Sequence, residues 1–277
     1  MKALVTGGAG FIGSHLCERL LSLGHAVCCV DNFDDFYNPA IKRKNIAEAK
    51  KSRNFTLVEE DILDFREIRK LVARADMVFH LAARAGVRPS IEQPHLYQKV
   101  NIEGTLNILE AMKEAKKDLL VFASSSSVYG KNSKLPFSEK DNLSLAISPY
   151  AASKAACEIF CHAYSHLYGM NITALRFFTV YGPRQRPEMA INKFIEKILN
   201  HRTIELYEMG ESRRDYTYID DIISGILLSS ERLRGFHVYN LGSSNPVSLK
   251  DLVNIIETAL EKKARLKLLP QQAGDVS

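Results

Sequence analysis

Short runs of apolar residues alternate along the chain with longer segments in which apolar residues recur every three or four positions. The apolar runs lie at residues 2–6, 26–30, 55–59, 77–80, 119–123 and 172–176. Runs of this length predict buried strands, and the segments between them predict helices, for example over 65–74 and 97–115. Strands that alternate with helices in this way predict a doubly wound parallel sheet with helices on both faces, and therefore the α/β class.

A glycine-rich turn follows the first predicted strand. Gly7, Gly10 and Gly13 are spaced three apart, and a helical pattern begins at Phe11. In a dinucleotide site the first two glycines let the backbone turn tightly and approach the pyrophosphate, and the third lets the helix pack on the strand. The free N–H groups and the dipole of the helix start attract the same anion. An ordinary strand-turn-helix is the alternative interpretation.

An acidic residue, Asp31, ends the second predicted strand, 18 positions after Gly13. This separation is close to the ~20 residues expected for the carboxylate that binds the adenosine ribose hydroxyls. Because a carboxylate there repels a 2′-phosphate, NAD is favoured over NADP. The strand, the spacing and the acid together predict a Rossmann-type dinucleotide-binding fold.

A tyrosine and a lysine four positions apart, Tyr150 and Lys154, lie in another predicted helix. Residues at this spacing share one face of a helix, so we expect the ammonium to lie beside the phenol. A fixed positive charge favours the phenolate, which makes Tyr150 a candidate general base. The spacing is common in helices, and its meaning here depends on the dinucleotide site that precedes it.

Composition narrows the possible functions. The 277 residues are 46% hydrophobic and 25% charged, with a formal net charge of +5, and these values are typical of soluble proteins. Basic residues are scattered, so nucleic acid is not an expected partner. Five cysteines without metal-type spacing predict reduced thiols. The strand at residue 2 leaves no room for a signal peptide, and no apolar run approaches ~18 residues, so we expect a cytoplasmic protein that does not enter a membrane.

Ligands of parallel sheets bind at the carboxyl ends of the strands. The residues expected there are Asp31, 61–62, 81–83, 124–127 and the stretch after Arg176. Beyond Arg176 the alternation ends, and a helix near 191–200 with short strands predicts a second, smaller substrate-binding region over the strand ends. The segment 32–53, rich in Lys and Asn, predicts a surface helix.

Cys157, Cys161, His162 and His166 lie on the helix after Lys154, with each like pair four apart. This spacing could indicate a metal site. The same helix is broadly apolar, however, and buried cysteine behaves as a small hydrophobic residue. We therefore expect these cysteines to pack in a core and predict no metal.

Further stretches accompany the glycine turn and the Tyr150/Lys154 pair. They lie at 101–105, 124–130, 214–221 and 239–242. Their order resembles that of the extended short-chain dehydrogenase/reductase family, in particular its members that act on nucleotide sugars. The stretches 31–39, 83–88 and 176–189 are most similar to UDP-glucuronate 4-epimerases, although epimerases of other UDP-sugars share parts of them.

The resemblance implies tightly bound NAD. The residues that it implies for cofactor binding are Gly7, Gly10, Phe11, Ile12, Gly13, Asp31, Asn32, Asp61, Ile62, Leu81, Ala82, Ala83, Asn101, Tyr150, Lys154 and Phe177. It further implies that Tyr150 takes the proton of the sugar 4-hydroxyl while C4 gives its hydride to NAD⁺. Lys154 would hold the nicotinamide ribose, and Ser125 would hydrogen-bond the reacting oxygen. The 4-keto sugar would then turn over and receive the hydride on its other face.

Related dehydratases and decarboxylases carry acidic residues directly after that hydroxyl residue, where this chain has Ser126 and Ser127. Serines cannot act as general acids or bases near neutral pH, which disfavours both reactions. They can donate hydrogen bonds to a carboxylate, and with Thr179 they would form a hydroxyl cage for a C6 carboxylate. The other substrate-binding residues that the resemblance implies are Arg184, Arg214, Arg88, Arg186 and Asp275.

The expected organisation is an NAD-binding domain of residues 1–176 and 213–243 and a nucleotide-sugar-binding domain of 177–212 and 244–277. Relatives continue beyond residue 277, so we expect the second domain to lack its last part. Helices near 97–115 and 148–168 are implied to pack in a homodimer. The expected function is 4-epimerisation of UDP-glucuronate to UDP-galacturonate for polysaccharide biosynthesis. Two alternatives stay open, namely a UDP-glucose or UDP-N-acetylhexosamine 4-epimerase and a non-catalytic NAD-binding regulator or scaffold.

Overall fold

The computed structural model describes residues 1–132, 134–143 and 145–270. The strands, in chain order, are β1 (Lys2–Thr6), β2 (Ala26–Val30), β3 (Phe55–Val58), β4 (Met77–His80), β5 (Leu119–Ser125), β6 (Asn171–Phe177), β7 (Thr179–Tyr181), β8 (Thr203–Leu206), β9 (Arg213–Tyr218), β10 (Phe236–Leu241), β11 (Pro246–Ser248) and β12 (Arg265–Leu268). The strands up to β6 lie where the apolar runs predict them.

The α-helices are α1 (Phe11–Ser22), α2 (Pro39–Asn45), α3 (Phe65–Ala73), α4 (Val87–Glu92), α5 (Pro94–Tyr97), α6 (Gly104–Glu114), α7 (Pro149–Tyr168), α8 (Ala190–Leu199), α9 (Ile219–Ser230) and α10 (Leu249–Leu260). A π-helical segment, Gln98–Glu103, joins α5 to α6, and a 3₁₀ turn, Ser126–Tyr129, follows β5. No helix within the described residues is long and apolar enough to cross a membrane.

The chain forms two compact units, residues 1–177 with 220–241, and 178–219 with the described residues from 242 onward. The first unit contains a seven-stranded sheet in the order β10-β6-β5-β4-β1-β2-β3. Every pair in this sheet is parallel. The order from β3 through β1 to β6 is that of a Rossmann fold, which confirms the predicted α/β class.

Apolar side chains from both faces of the strands form the main core of the first unit. Phe122 of β5, Ile108 and Met112 of α6, and Cys157 and Cys161 of α7 are all fully buried in one cluster. The two cysteines therefore pack as hydrophobic residues. Among the described residues no group of three or more His, Cys, Asp or Glu side chains could hold a metal ion.

The second unit has a small core of its own. Its sheets are β11-β9-β7 and the parallel pair β12-β8, and Phe194, Ile198 and Val253 pack between its helices and strands. Residues 213–219 lie in this unit, whereas the sequence-based assignment placed them in the first. The reason is the pairing of β9, which runs parallel to β7 and antiparallel to β11.

The segment 32–53 is less exposed than its Lys-rich sequence predicts. Its helix α2 is short, capped by the side chain of Asn38, and buries Lys42 and Asn45. Asn45 donates from Nδ2 to the carbonyl of Ala9 at 3.1 Å. The segment is thus anchored to the glycine turn rather than lying free on the surface, because its polar side chains find partners there.

Candidate functional site

The glycine turn at the end of β1 has no room for side chains. Gly7 has φ +68°, and a Cβ added there would lie 2.8 Å from the amide nitrogen of Ala82. A Cβ on Gly13 would lie 2.2 Å from the carbonyl oxygen of Gly7. Gly10 caps α1, so the first N–H groups of that helix, those of Phe11, Ile12 and Gly13, begin at the turn. This bare backbone at a helix start is suited to a dinucleotide pyrophosphate.

Asp31, at the end of β2, is buried and held from several sides. Its Oδ2 accepts from the amide of Ala9 at 3.1 Å, and its Oδ1 accepts from the amide of Phe33 at 2.9 Å. The ammonium of Lys42 lies 3.3 Å from Oδ1. The sequence pattern did not identify Lys42, because this lysine lies eleven positions after Asp31 on a helix that the pattern predicts to be exposed. The carboxylate is therefore fixed in place, with a cation beside it.

The end of β3 joins the end of β2 through side chains. Asn32 donates from Nδ2 to Oδ2 of Asp61 at 2.9 Å, and Asp61 also caps the amide of Leu63. Ile62 is buried against Gly104, where an added Cβ would lie 2.4 Å from its Cδ1. The structure thus brings Asp31, Asn32, Asp61 and Ile62 to one edge of the sheet.

The segment after β4 is tied to β1. The amides of Leu81 and Ala82 donate to the carbonyl and hydroxyl oxygens of Thr6 at 3.1 and 3.2 Å. Together with Ala83 these residues line the same edge as the glycine turn. Asn101 lies in the π-helical segment, and π-helical turns are frequent at functional sites. Its amide is engaged by the backbone N–H and carbonyl of Arg84 and by Ser153, at 2.7, 3.1 and 2.9 Å.

His80 lies fully buried directly beneath this edge. Its Nδ1 is 2.7 Å from the Thr6 hydroxyl, and its Nε2 is 3.1 Å from the Thr105 hydroxyl. Because Thr105 donates its own proton to the carbonyl of Asn101, it accepts from Nε2, which leaves Nδ1 to accept from Thr6. Burial, and secondarily the charge of Lys154, lower the pKa of His80 to about 3. His80 is thus a neutral structural residue.

Tyr150 and Lys154 lie one turn apart at the start of α7. Ser148 caps the helix by accepting from the amide of Ala151 at 3.1 Å, and Pro149 opens it. The phenol ring of Tyr150 packs edge-on against Tyr97, with ring centroids 6.2 Å apart. The buried ammonium of Lys154 donates to the carbonyl of Ala123 on β5 at 2.7 Å. The lysine therefore fastens α7 to the strand that carries the serines.

Ser125 ends β5 and caps the following 3₁₀ turn. Its Oγ accepts from the amide of Ser127 at 3.1 Å, so its hydroxyl proton is left to donate elsewhere. On the neighbouring strand Phe177 pairs with Ser125. Ser126 and Ser127 are half-buried, and their hydroxyls make no hydrogen bond to a side chain or backbone group within the described residues. Three consecutive serines thus occupy the last position of β5 and the first two of the turn that follows it.

The predicted substrate residues divide between the two units. Arg88 is exposed on α4 in the first unit. In the second, Thr179 of β7 pairs with Tyr216 of β9, and Arg214 lies two positions earlier on β9, so Thr179 and Arg214 share one sheet face. The Arg214 guanidinium is held by the hydroxyl of Ser212 at 2.9 Å.

The remaining predicted contacts lie in or beyond the loop after β7. Arg184 has φ +64°, and Arg186 pairs with Glu188 at 2.8 Å. Asp275 lies outside the described residues. The structure thus collects the predicted cofactor and catalytic residues at one edge of the first unit, and places Thr179 and Arg214 on one sheet of the second.

The chain is similar to known proteins over most of its length. Residues 3–242 match the model of the NAD dependent epimerase/dehydratase family. A UDP-glucuronate 4-epimerase of Thermodesulfobacterium geofontis is 44% identical over 276 residues, which cover 99% of this chain and 85% of that protein.

Solved structures are similar over almost the whole chain. UDP-glucuronic acid 4-epimerase from Bacillus cereus, in complex with UDP-glucuronic acid and NAD, is 38% identical with a TM-score of 0.93, over 99% of this chain and 88% of that one. UDP-N-acetylglucosamine 4-epimerase from Methanobrevibacter ruminantium, in complex with UDP-N-acetylmuramic acid, is 35% identical with a TM-score of 0.91, over 99% and 87%.

Proposed function

The chain belongs to the NAD dependent epimerase/dehydratase family, and from this premise we propose that it interconverts UDP-glucuronate and UDP-galacturonate. It is an NAD-dependent nucleotide-sugar 4-epimerase whose substrates are UDP-sugars. The choice of UDP-glucuronate rests on one observation, the serine hydroxyls that follow Ser125 in place of acidic side chains.

The chain's own residues fit NAD. The glycine turn leaves a bare backbone where a side chain at Gly7 or Gly13 would collide with neighbouring backbone. Asp31 presents a fixed carboxylate at the end of β2, suited to the ribose hydroxyls. When bound, NAD⁺ supplies the acceptor for the hydride of C4 and later returns it. We propose that it stays bound between turnovers, since the epimerisation consumes no net cofactor.

Proton transfer at the sugar 4-hydroxyl falls to Tyr150. Lys154 keeps a positive charge one helical turn away, anchored by the carbonyl of Ala123. Ser125 has a hydroxyl proton free to donate to the C4 oxygen, because its Oγ already accepts from Ser127. The three side chains can therefore position the sugar oxygen and exchange its proton, which is worth about 10²–10⁴-fold in rate for a positioned acid-base group.

The sugar C6 carboxylate would bind the hydroxyls of Ser126 and Ser127, with Thr179 as a third donor. Hydrogen bonds from hydroxyls to a carboxylate are short and strong. Serine and threonine cannot take protons from neighbouring carbons near neutral pH, which disfavours elimination and assisted decarboxylation. The diphosphate would bind Arg184 and Arg214, with further contacts from Arg88 and Arg186, and Asp275 would help to close the nucleotide pocket.

A second candidate substrate is a UDP-N-acetylhexosamine. It is favoured by the 35% identity to the Methanobrevibacter ruminantium enzyme, which is a UDP-N-acetylglucosamine 4-epimerase. UDP-glucose is a further possibility within the same reaction. A non-catalytic role is disfavoured by the presence of Ser125 at the end of β5 and of Tyr150 and Lys154 on α7, whose lysine bonds the same strand.

We also propose a homodimer formed through α6 and α7. Three apolar or aromatic residues of α7 are exposed, namely Ile159, Leu167 and Tyr168, which are 66%, 65% and 48% accessible. Sedimentation equilibrium on the wild type and on Ile159→Asp tests the dimer.

We further propose a cytoplasmic location and a role in polysaccharide biosynthesis. The five free cysteines agree with the proposed location, because disulfides are rare in reducing compartments.

The function is tested by incubating the purified protein with UDP-glucuronate, without added NAD, and following the sugar by NMR. UDP-galacturonate without pentose product or net NADH is the expected result. If only UDP-glucose or UDP-N-acetylglucosamine is epimerised, the carboxylate assignment is wrong while the reaction type stands. Tyr150→Phe serves as the catalytic control and should lower the rate by about 10²–10⁴-fold.

A further inference from the structure

An ion pair joins the two segments that flank the glycine turn. Nη1 of Arg84 lies 2.7 Å from Oδ1 of Asp34, and the two side chains are only 15% and 30% exposed. Arg84 follows β4 and Asp34 follows β2, while the sheet order β4-β1-β2 puts β1 between them. Neighbouring strands lie about 4.8 Å apart, so the two strands after which these residues follow are separated by roughly 10 Å, which the two side chains bridge together. It therefore crosses beyond the carboxyl end of β1.

Both segments also touch the glycine turn directly. Gly7 packs against the backbone of Ala82, two residues before Arg84. The amide of Ala9 donates to Asp31, three residues before Asp34, at 3.1 Å. The turn, the two segments and the ion pair thus form a closed ring of contacts.

Other contacts fix both residues of the ion pair in position. Asn101 bonds both the N–H and the carbonyl of Arg84, at 2.7 and 3.1 Å. Oδ1 of Asp34 accepts from the amide of Phe36 at 2.8 Å, and the amide of Asp34 donates to Asn32 at 3.0 Å. The guanidinium also stacks over the ring of Phe36, 5.5 Å from its centroid. An ion pair with fixed ends loses little conformational entropy, so it contributes more than a mobile surface pair.

A cavity of about 240 Å³ adjoins the ion pair, lined by Asp35, Phe36, Arg84, Pro89, Gln93 and Tyr97. Tyr97 in turn contacts the catalytic Tyr150 edge-on. A dinucleotide whose ribose lies at Asp31 and whose nicotinamide lies toward Tyr150 covers the same interval of the sheet edge as the ion pair. The pair is therefore placed to enclose it against the glycine turn.

We propose that Asp34 and Arg84 form a clasp that slows the release of NAD, and so are positioning residues for cofactor retention. This inference rests on the NAD cofactor of the proposed function and is independent of the sugar. Arg84 could instead act alone, because its buried Nε has no hydrogen-bond partner among the described residues and could reach an anion. The clasp requires Asp34 as well, and an acidic side chain gains nothing from contact with a diphosphate.

The test measures the rate at which radiolabelled NAD leaves the holoenzyme into excess unlabelled NAD, without sugar. Asp34→Asn keeps the side-chain oxygen that accepts from Phe36 and removes the charge, and we expect release to quicken by about fivefold. The reversed pair Asp34→Arg with Arg84→Asp should return the rate to within about twofold of the wild type. Glu67→Gln, which breaks the exposed pair with Lys70 on α3, is the matched control and should change nothing.

Wild-type release at rising KCl gives a second measurement that needs no variant. Because salt screens a partly exposed ion pair, release should quicken between about 0.05 and 0.5 M KCl, and much less so in Asp34→Asn. An Asp34→Asn holoenzyme that releases NAD at the wild-type rate overturns the clasp. If Arg84→Met releases NAD faster than the wild type while Asp34→Asn releases it at the wild-type rate, Arg84 acts alone on the diphosphate, and this result also overturns the clasp. Salt-independent release of the wild type contradicts the proposal too, even if the variants fail to fold.

Discussion

The carboxylate of Glu158 accepts hydrogen bonds from two nitrogens of the Arg176 guanidinium, at 3.1 Å from Nε and 2.8 Å from Nη2. The side chains are 4% and 3% exposed. Glu158 lies one turn beyond Lys154 on α7 and also accepts from the hydroxyl of Ser124, the neighbour of Ser125. The ion pair therefore ties α7, the helix of Tyr150, to β5 and β6.

Removing one partner of this buried pair should be costly. Glu158→Ala leaves the charge of Arg176 buried and unpaired, and we expect it to lower the free energy of unfolding by about 3–5 kcal/mol. Combining it with Arg176→Met should restore part of that loss, because no unpaired charge remains. Urea unfolding measures both variants. Glu59→Ala, which breaks the exposed pair with Arg43, should have a much smaller effect, and equal losses for Glu158→Ala and Glu59→Ala would contradict this account.

Gly13→Ala should weaken the binding of NAD. Its new Cβ would lie 2.2 Å from the carbonyl of Gly7, and backbone there cannot yield without opening the turn. We expect NAD affinity to fall by at least about tenfold, measured on the cofactor-free protein by titration calorimetry. Gly24→Ala at the other end of α1 also strains a positive φ, but it meets no atom within 4 Å and should keep wild-type affinity. Full affinity in Gly13→Ala would show that the turn does not bind the cofactor.

Asp31→Asn should weaken the preference for NAD over NADP. The substitution keeps a side-chain oxygen to accept from backbone amides, yet leaves the ammonium of Lys42 without its carboxylate 3.3 Å away. That cation can then attract a 2′-phosphate, so we expect the ratio of the NADP association constant to the NAD association constant to rise by about tenfold. Adding Lys42→Met should reverse most of the shift. An unchanged ratio in Asp31→Asn would mean that the carboxylate does not face the ribose.

The parts of the fold that sequence predicts well are those set by local pattern. The apolar runs at 2–6 and 26–30 coincide with β1 and β2, because a buried parallel strand needs an uninterrupted apolar segment. The glycine turn is equally local, since only glycine tolerates the contacts at Gly7 and Gly13. The predicted membership of the NAD-dependent epimerase family is confirmed.

Features that depend on distant partners could not be read from local pattern. The predicted helix over 97–115 is instead α5, a π-helical segment and α6, because Asn101 within it bonds Arg84 and Ser153 from other elements. Lys154 was expected beside Tyr150, and the partner that its ammonium bonds is the carbonyl of Ala123, 31 positions away. Lys42 was likewise predicted to be exposed, because its partner Asp31 is distant in sequence.

Stability should fall with pH below about 6.5 because of His80. Its native pKa of about 3 lies far below the ~6.5 of an unfolded histidine, so between these values the unfolded chain binds a proton that the native protein does not. The free energy of unfolding then drops by about 1.4 kcal/mol for each pH unit, or about 2 kcal/mol from pH 6.5 to 5.0. Well above pH 6.5 the residue is neutral in both states and contributes no slope.

Urea unfolding of the wild type and of His80→Gln over this range separates His80 from other titrating groups. Glutamine is less stable in the pocket between Thr6 and Thr105, but it does not titrate, so its stability should decline by about 2 kcal/mol less than that of the wild type between pH 6.5 and 5.0. His201→Gln, at an exposed position, should keep the wild-type slope. Parallel curves for the wild type and His80→Gln would mean that the buried imidazole accepts a proton in the native state. The hydrogen bond that Nδ1 of His80 accepts from Thr6 would then not form, because a protonated Nδ1 cannot accept, and a neutral imidazole would not be what holds the segment after β4.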